Sequence, residues 1–196
     1  MKSSQANNPN SPNWKLILAG VGGQGVLFVT RLLSETAQVL GMDFISSEIH
    51  GMSQRGGSVV SHFKIGPHES PLVRQGTADL LLAFTLDEGY RNLRFLRPGG
   101  SWVVNCPDPE LLDDGIRTYL GKQGISIHAL DADGLVQKSP RVANVALVGF
   151  ATGCGALRLP SASLRATLAA ISPAPFRGPN VEALQLGMVA GEAKKP

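Results

Sequence analysis

The sequence predicts an α/β fold with an open, mainly parallel sheet, helices on both faces of the sheet and a helical C-terminal third. A short apolar run at residues 16–19 has no polar alternation, which is typical of a strand covered on both faces. A glycine-rich turn and a segment of helical periodicity follow this run at once. Further apolar runs then alternate with helical patterns, as in parallel-sheet domains.

Length and composition favour a single domain. The chain has 196 residues, of which 43% are hydrophobic and 17% are charged. We predict a disordered leader at residues 1–13, one domain at 14–191 and a tail at 192–196. The leader lacks the apolar core of a secretory signal. The most apolar long stretch, residues 142–157, is shorter than a membrane span, so we expect a protein without a membrane anchor.

Charge and cysteine content narrow the class of function. The net charge of +3 and the lack of a basic stripe argue against nucleic-acid binding. Cys106 and Cys154 are far apart and form no C-x-x-C motif. Two thiolates are too few for a typical iron–sulfur cluster, and such sparse cysteines fit a reducing cytoplasm.

The elements follow in a regular order along the first two thirds of the chain. After the first strand we predict a helix at 24–40 and strands at 43–47, 58–65 and 79–84. A helix at 86–95, capped by Asp87, and a strand at 101–104 follow. We then predict a helix that starts at Asp108-Pro109 and a strand at 125–130. Residues 71–74 are a possible further short strand. The alternation at 58–65 predicts a half-buried strand that is antiparallel or at an edge.

The final third is predicted to be helical. We expect a buried helix at 142–157, a helix at 160–171, a linker at 172–179 and a helix at 181–190 that Asn180 caps. Small residues recur every three or four positions in the first of these helices. Such a stripe allows close approach of another helix, either inside the chain or at a subunit interface.

The glycine-rich turn is the first candidate binding site. Gly20, Gly22 and Gly25 have the G-x-G-x-x-G spacing, which lets a backbone approach a pyrophosphate at a helix N-terminus. The same spacing also occurs in tight turns that bind nothing. Glu48 lies roughly where a Rossmann-like domain places its ribose-binding acid, although an ordinary exposed glutamate is the simpler interpretation.

The second candidate is the run Glu-Ile-His-Gly-Met-Ser-Gln-Arg-Gly-Gly-Ser at residues 48–58. Arg55 precedes two glycines, so its guanidinium could reach a phosphate or a carboxylate that the backbone also approaches. The alternative is a solvated loop, but the density of unusual residues favours a function. The chain has no clustered metal-ligand motif and no recognisable nucleophile–base pair.

Together, the glycine turn and the run at 48–58 resemble the gamma subunit or domain of 2-oxoacid:ferredoxin oxidoreductases, over residues 14–190. Within that family the likeness is greatest to the indolepyruvate-oxidising members. The resemblance implies a cytoplasmic complex that oxidatively decarboxylates indolepyruvate or another aryl pyruvate to an acyl-CoA and passes electrons to ferredoxin. It also implies that thiamine diphosphate and the 4Fe-4S clusters belong to a partner subunit. The G-D-G…N signature of thiamine diphosphate binding is missing from this chain.

On this resemblance, the chain helps to form the coenzyme A side of a shared site and is inactive when isolated. The residues expected to contact the cofactor or the partner backbone are Gly20, Gly22, Gly23, Gln24, Gly25, Ser53, Gln54, Arg55 and Gly56. No residue is assigned a catalytic or metal-binding role. Two alternatives stay open: a stand-alone NAD(P)-binding oxidoreductase, and a purely structural assembly subunit that forms a homodimer.

Overall fold

The computed structural model describes residues 13–50, 56–137 and 140–195. The strands are β1 (Trp14–Val21), β2 (Phe44–His50), β3 (Ser58–Ile65), β4 (Ala78–Ala83), β5 (Leu96–Asn105) and β6 (Ser126–Leu130). The α-helices are α1 (Val26–Val39), α2 (Leu86–Asn92), α3 (Asp114–Lys122), α4 (Ala132–Leu135), α5 (Ala143–Gly153), α6 (Ser161–Ile171) and α7 (Ala174–Glu192). Their order confirms the predicted α/β fold. Within these ranges, no helix is both long and apolar enough to cross a bilayer.

The six strands form one sheet in the order β2-β3-β1-β4-β5-β6. Strands β1, β4, β5 and β6 are parallel, whereas β3 is antiparallel to both of its neighbours. Of the two alternatives predicted for residues 58–65, the antiparallel strand is therefore confirmed, and β3 lies inside the sheet and not at its edge. The half-buried assignment is wrong, because His62 and Lys64 on the face opposite Phe63 are only 3% and 7% exposed.

The loop after β3 explains this burial. The backbone N–H of Val73 donates to Nδ1 of His62 at 3.0 Å, and Nζ of Lys64 donates to the carbonyl of Ser70 at 2.8 Å. The loop thus lies over one face of β3 and satisfies its polar side chains. Residues 71–74, a possible strand in the sequence, belong to this irregular segment.

The sheet separates two hydrophobic cores. Alternate residues of β1 point into different cores, Leu16 and Leu18 into one and Ile17 and Ala19 into the other. Helices α1, α5, α6 and α7 contribute to the first core, and α2 and α3 contribute to the second. Both faces of β1 are therefore covered, which is why its sequence is a continuous apolar run.

Helices α5 and α7 pack through facing glycines. A Cβ atom on Gly149 or Gly153 of α5 would overlap the backbone of α7, and one on Gly187 or Gly191 of α7 would overlap the backbone of α5. The small-residue stripe therefore mediates close packing inside the chain.

The predicted linker at residues 172–179 is wrong, because α7 begins at Ala174 and runs through Pro179. An interior proline costs about 3 kcal/mol or more in a helix. We attribute the tolerance of Pro179 to the close α5–α7 packing, which buries Ala183 and Leu184. Asn180 is not a cap either, since it is buried within α7 and its Nδ2 donates to Oγ of Ser172 at 2.8 Å.

Two other helix starts differ from the prediction. Thr85, not Asp87, caps α2, accepting from the N–H of Glu88. Asp108 caps only a short 3-10 turn, Pro109–Leu111, and α3 begins later with Asp113 as its cap. In both cases the sequence offers two polar residues close together, and the tertiary path of the chain selects between them.

Candidate functional site

The glycine turn joins the carboxyl end of β1 to α1. Gly23 and Gly25 have φ values of 100° and 79°, a left-handed region that side chains other than glycine disfavour. The N–H of Gln24 donates to the carbonyl of Val21 at 3.1 Å, and Oε1 of Gln24 accepts from the N–H of Val21 at 2.9 Å. The Gln24 side chain thus folds back onto the end of β1 and stabilises the turn.

The glycines of the turn have different surroundings. A Cβ on Gly20 would lie 2.9 Å from both Phe84 and Val26, so this glycine permits close packing of β1, β4 and α1. A Cβ on Gly25 would overlap the side-chain amide of Asn144. Gly23, by contrast, is exposed and has nothing within 4 Å of its Cβ position, so its backbone is open to a ligand or a partner.

The second candidate run meets the glycine turn at its described end. The N–H of Gly22 donates to the carbonyl of Gly57 at 2.9 Å, and Gly56 is exposed with a φ of 75°. Ser53, Gln54 and Arg55 lie outside the described residues. The structure therefore brings the two runs together at Gly22, Gly56 and Gly57.

A buried carboxylate holds the start of β3 beside this junction. Oε2 of Glu88 accepts from Oγ of Ser58 at 2.6 Å, and Oε1 accepts from Nη1 of Arg91 at 2.6 Å. The Glu88 side chain is 1% exposed. It fixes the residue that directly follows the Arg-Gly-Gly segment.

A cleft of about 300 Å³ lies beside the glycine turn at the carboxyl ends of β1, β4 and β5. Its lining consists of Gly23, Gln24, Phe84, Asn105, Asp133, Arg141, Ala143 and Asn144. Open α/β sheets bind ligands at this edge, where the strand order reverses. Here the reversal is at β1, since the chain passes from β1 to β2 and β3 on one side and then to β4 on the other.

Asn105 organises the floor of this cleft. Its Nδ2 donates to Oδ2 of Asp133 at 2.7 Å and to the carbonyl of Phe84 at 3.3 Å. Its Oδ1 accepts from the N–H of Ala132 at 2.9 Å. One amide side chain therefore ties the ends of β4 and β5 to the start of α4.

Two helix N-termini border the cleft, and both favour a negatively charged ligand. The first intrahelical bond of α1 runs from the N–H of Val29 to the carbonyl of Gly25, so the amides of residues 26–28 precede the hydrogen-bonded ladder. α5 begins at Ala143, next to the exposed guanidinium of Arg141. Asp133 supplies the opposing charge, and its carboxylate already accepts from Asn105.

Sequence reasoning did not select Asn105, Asp133 or Arg141. Each is an isolated polar residue without a recognisable motif. Asn105 directly follows the predicted strand 101–104, and Asp133 lies three residues past the predicted strand 125–130. Because the carboxyl ends of parallel strands share one edge, this placement was the signal that could have found them.

Glu48, the possible ribose-binding acid, is exposed on β2 at the edge of the sheet. It pairs with Ser61 of β3, which in turn pairs with Leu18 of β1. An entire antiparallel strand thus separates Glu48 from the strand that carries the glycine turn. In a dinucleotide-binding domain the acid-bearing strand is the direct neighbour of the first strand.

The two cysteines are both buried. Burial raises the pKa of the Cys154 thiol, which disfavours its reactive thiolate form. Among the residues that the structure describes, no group of three or more His, Cys, Asp and Glu side chains is placed to hold a metal ion.

Comparison with known protein families establishes the family of this chain. The profile of the pyruvate ferredoxin/flavodoxin oxidoreductase family matches residues 15–190. The chain belongs to this family. The match covers nearly the whole range, 14–190, over which the motifs resemble gamma-type subunits.

Two curated relatives of this chain have the same name, which is that of an oxidoreductase subunit. The chain is 28% identical over 191 residues to indolepyruvate oxidoreductase subunit IorB of Methanothermobacter thermautotrophicus, a match that covers 91% of this chain and 97% of the relative. It is 29% identical over 194 residues to the same subunit of Pyrococcus horikoshii, covering 91% of this chain and 96% of the relative. This member of the oxidoreductase family thus resembles those subunits along nearly their full length.

Solved structures share the fold. The keto/oxoacid ferredoxin oxidoreductase gamma subunit of Geobacter sulfurreducens superposes with a TM-score of 0.70 at 22% identity, covering 92% of this chain and 99% of that one. The 2-oxoglutarate:ferredoxin oxidoreductase of Magnetococcus marinus, solved with 2-oxoglutarate, coenzyme A and succinyl-CoA bound, gives a TM-score of 0.76 at 19% identity. That match covers 92% of this chain and 31% of the larger one.

Proposed function

We propose that this chain is the gamma-type subunit of a 2-oxoacid:ferredoxin oxidoreductase that acts on indolepyruvate or another aryl pyruvate. In this proposal it forms one wall of the coenzyme A site, and a partner subunit holds thiamine diphosphate and the iron–sulfur clusters. The observation that carries the proposal is the cleft beside the glycine turn, within a fold whose relatives are named as oxidoreductase subunits.

The electrostatics of the cleft support a phosphate-bearing ligand. Coenzyme A carries a pyrophosphate and a further phosphate, all of them anionic at neutral pH. Gly23 and Gln24 of the glycine turn and the guanidinium of Arg141 line the cleft, and these are the groups of this chain that would contact such phosphates. Gly23 would let the backbone approach closely, because no side chain stands over it.

The size of the cleft supports a shared site. About 300 Å³ is at the lower end of the range for small-molecule pockets and is too small for all of coenzyme A. This chain would therefore hold only part of the molecule, and the partner subunit would cover the rest. Arg55, predicted from the sequence as a site residue, would supply a second cation to the shared site.

The proposed roles of the two subunits follow from the motifs that this chain has and from those that it lacks. The partner's thiamine diphosphate would supply the decarboxylation chemistry, and its clusters would carry electrons to ferredoxin. The residues of this chain would bind and orient coenzyme A and exclude water from the shared site. We assign none of them a proton-transfer role, and we expect no oxidoreductase activity from the isolated chain.

Purification from the native cells tests this proposal. The tagged chain should co-purify with a larger subunit whose absorbance spectrum has a broad iron–sulfur band. That complex should reduce ferredoxin when given indolepyruvate and coenzyme A, and the separated chain should not. A chain that is isolated alone and colourless, and that binds NAD or NADP, would contradict the proposal.

A further inference from the structure

A cationic depression lies at the opposite end of β1 from the glycine turn. The six strand residues 16–21 separate Lys15 from Gly22, a distance of roughly 23 Å along the strand. The depression is formed by the amino end of β1, the start of β2, the end of β3 and the loop that follows β3. Its lining includes Lys15, Lys64, Arg74 and His68, and the acids Asp43 and Glu69.

Two of the lysines face each other across neighbouring strands. Lys15 of β1 and Lys64 of β3 are directly opposite in the antiparallel register. Such cross-strand neighbours have Cβ atoms about 4.5–5.5 Å apart, and like charges at this position repel each other. Lys64 is 7% exposed, so water screens this repulsion poorly.

These cations form no close ion pair with the local acids that the structure describes. Among the described residues, no carboxylate lies within 4.0 Å of Lys15, Lys64 or Arg74, although Asp43 and Glu69 line the same depression. Asp79, near the base of Lys15, accepts from Nε of Arg97 at 2.7 Å and from the backbone N–H of Lys15 at 2.9 Å. Both of its oxygens are therefore already engaged.

The depression also holds an unsatisfied polar atom. Nε2 of His68 is buried and has no hydrogen-bond partner within the described part of the chain. Burial and the nearby Lys64 and Lys15 lower the pKa of this histidine. Burial, together with Lys15 and Arg74, likewise lowers the pKa of Lys64. An anion in the depression would oppose these shifts, because a nearby negative charge favours the protonated form of both groups.

We propose that this depression is a second anion site, which binds a phosphate group through Lys15, Lys64 and Arg74. Three cations from three segments of the chain match the two negative charges and several acceptor oxygens of phosphate better than a single carboxylate. Occupation would remove the repulsion between the cross-strand lysines. The site would therefore tie the loop after β3 to the sheet and stabilise this end of the fold.

Titration of the full-length chain with inorganic phosphate tests the proposal. The melting temperature and the imidazole NMR signals of His68 should change saturably with phosphate, well beyond the effect of chloride at equal ionic strength. A phosphate monoester such as AMP should be compared, because binding of the ester but not of free phosphate would identify a nucleotide-type ligand. Equal effects of acetate and phosphate would overturn the phosphate assignment.

Charge variants make the test specific. Lys64→Met keeps the side-chain length and removes the repulsion, so the protein should stay folded but lose at least tenfold in phosphate affinity. Lys15→Gln and Arg74→Gln should each weaken binding by several fold, and neither change affects a buried group. Lys122→Gln, an exposed lysine of α3, is the control for the change in net charge and should bind as the wild type does. Unchanged binding in all three depression variants would overturn the proposal.

Discussion

The side chain of Asn144, at the start of α5, lies directly over Gly25, at the start of α1. Its Nδ2 donates to the carbonyl of Gly25 at 3.4 Å, across a sequence separation of 119 residues. A Cβ on Gly25 would occupy the same space as that amide. The glycine turn is therefore shaped by two constraints, its left-handed backbone and the helix that covers it.

We expect Gly25→Ala to destabilise the protein by about 1–3 kcal/mol, because alanine disfavours a φ of 79° and its methyl group overlaps Asn144. Asn144→Ala alone should cost less. In the double variant the overlap is relieved, so its loss of stability should be smaller than the sum of the two single losses. Urea unfolding measures all three. Strict additivity would mean that Asn144 does not restrict Gly25.

The glycines between α5 and α7 provide a second stability test. Gly187→Ala places a methyl group on the backbone of α5 at Ala146, and we expect a loss of more than about 2 kcal/mol in the free energy of unfolding. Gly121→Ala in α3 is the matched control, because nothing lies within 4 Å of its Cβ position. That change should stabilise the helix by about 0.5–1 kcal/mol. Similar effects at both positions would refute the close-packing explanation.

Stability should fall as the pH drops below the ordinary histidine range. Burial and the nearby Lys64 lower the pKa of His62 below 6.5. The neutral form of His62 is therefore favoured in the folded state. The contribution of His62 to the free energy of unfolding is fully present above pH 6.5 and is lost as the pH falls through the lowered pKa. Protonation of Nδ1 would also break the hydrogen bond from the N–H of Val73.

The measurement is the melting temperature from pH 7.5 to pH 4.5 in buffers without phosphate. His62→Asn keeps an acceptor for Val73 and removes the titrating group, so its melting temperature should depend less steeply on pH. His68 and His128, whose pKa values burial also lowers, should leave a residual slope. An identical pH dependence in the wild type and the variant would contradict this assignment.

Arg55 remains a prediction from the sequence. Arg55→Ala should raise the KM for coenzyme A in the assembled enzyme, since the change removes a charge-assisted contact, and should leave the subunit folded. Arg55→Lys keeps the charge without the planar fork, so it should restore only part of the affinity. Unchanged coenzyme A kinetics in Arg55→Ala would eliminate this role.

The sequence predicted the elements that local patterns determine. β1 was predictable because both of its faces are buried, and α1 because its apolar stripe ends at Gly41. The central position of β3 was not predictable, since strand order depends on pairing between segments far apart in the chain. The helical state of residues 174–179 was missed because close packing of α7 on α5 outweighs the local signal of Pro175 and Pro179.

The residues of the candidate site likewise differ in whether a local sequence pattern predicts them. The glycine turn was found through its spacing, and the bond between Gly22 and Gly57 brings both motif runs together. Asn105 and Arg141 reach the cleft only through the sheet topology and the path of the chain before α5. Side chains that assemble from distant segments carry no local motif. Asn105 could have been found only from its position directly after a predicted strand, and Arg141 has no such signal.

The coenzyme A dependence of the assembled enzyme with Arg141→Ala tests the central claim most directly. Loss of a charge-assisted contact costs about 1.5–3 kcal/mol, so the KM for coenzyme A should rise at least tenfold while the KM for the 2-oxoacid stays unchanged. Arg158→Ala, an exposed arginine beyond the other end of α5, should behave like the wild type. A wild-type KM for coenzyme A in Arg141→Ala would contradict the assignment of the cleft to this ligand.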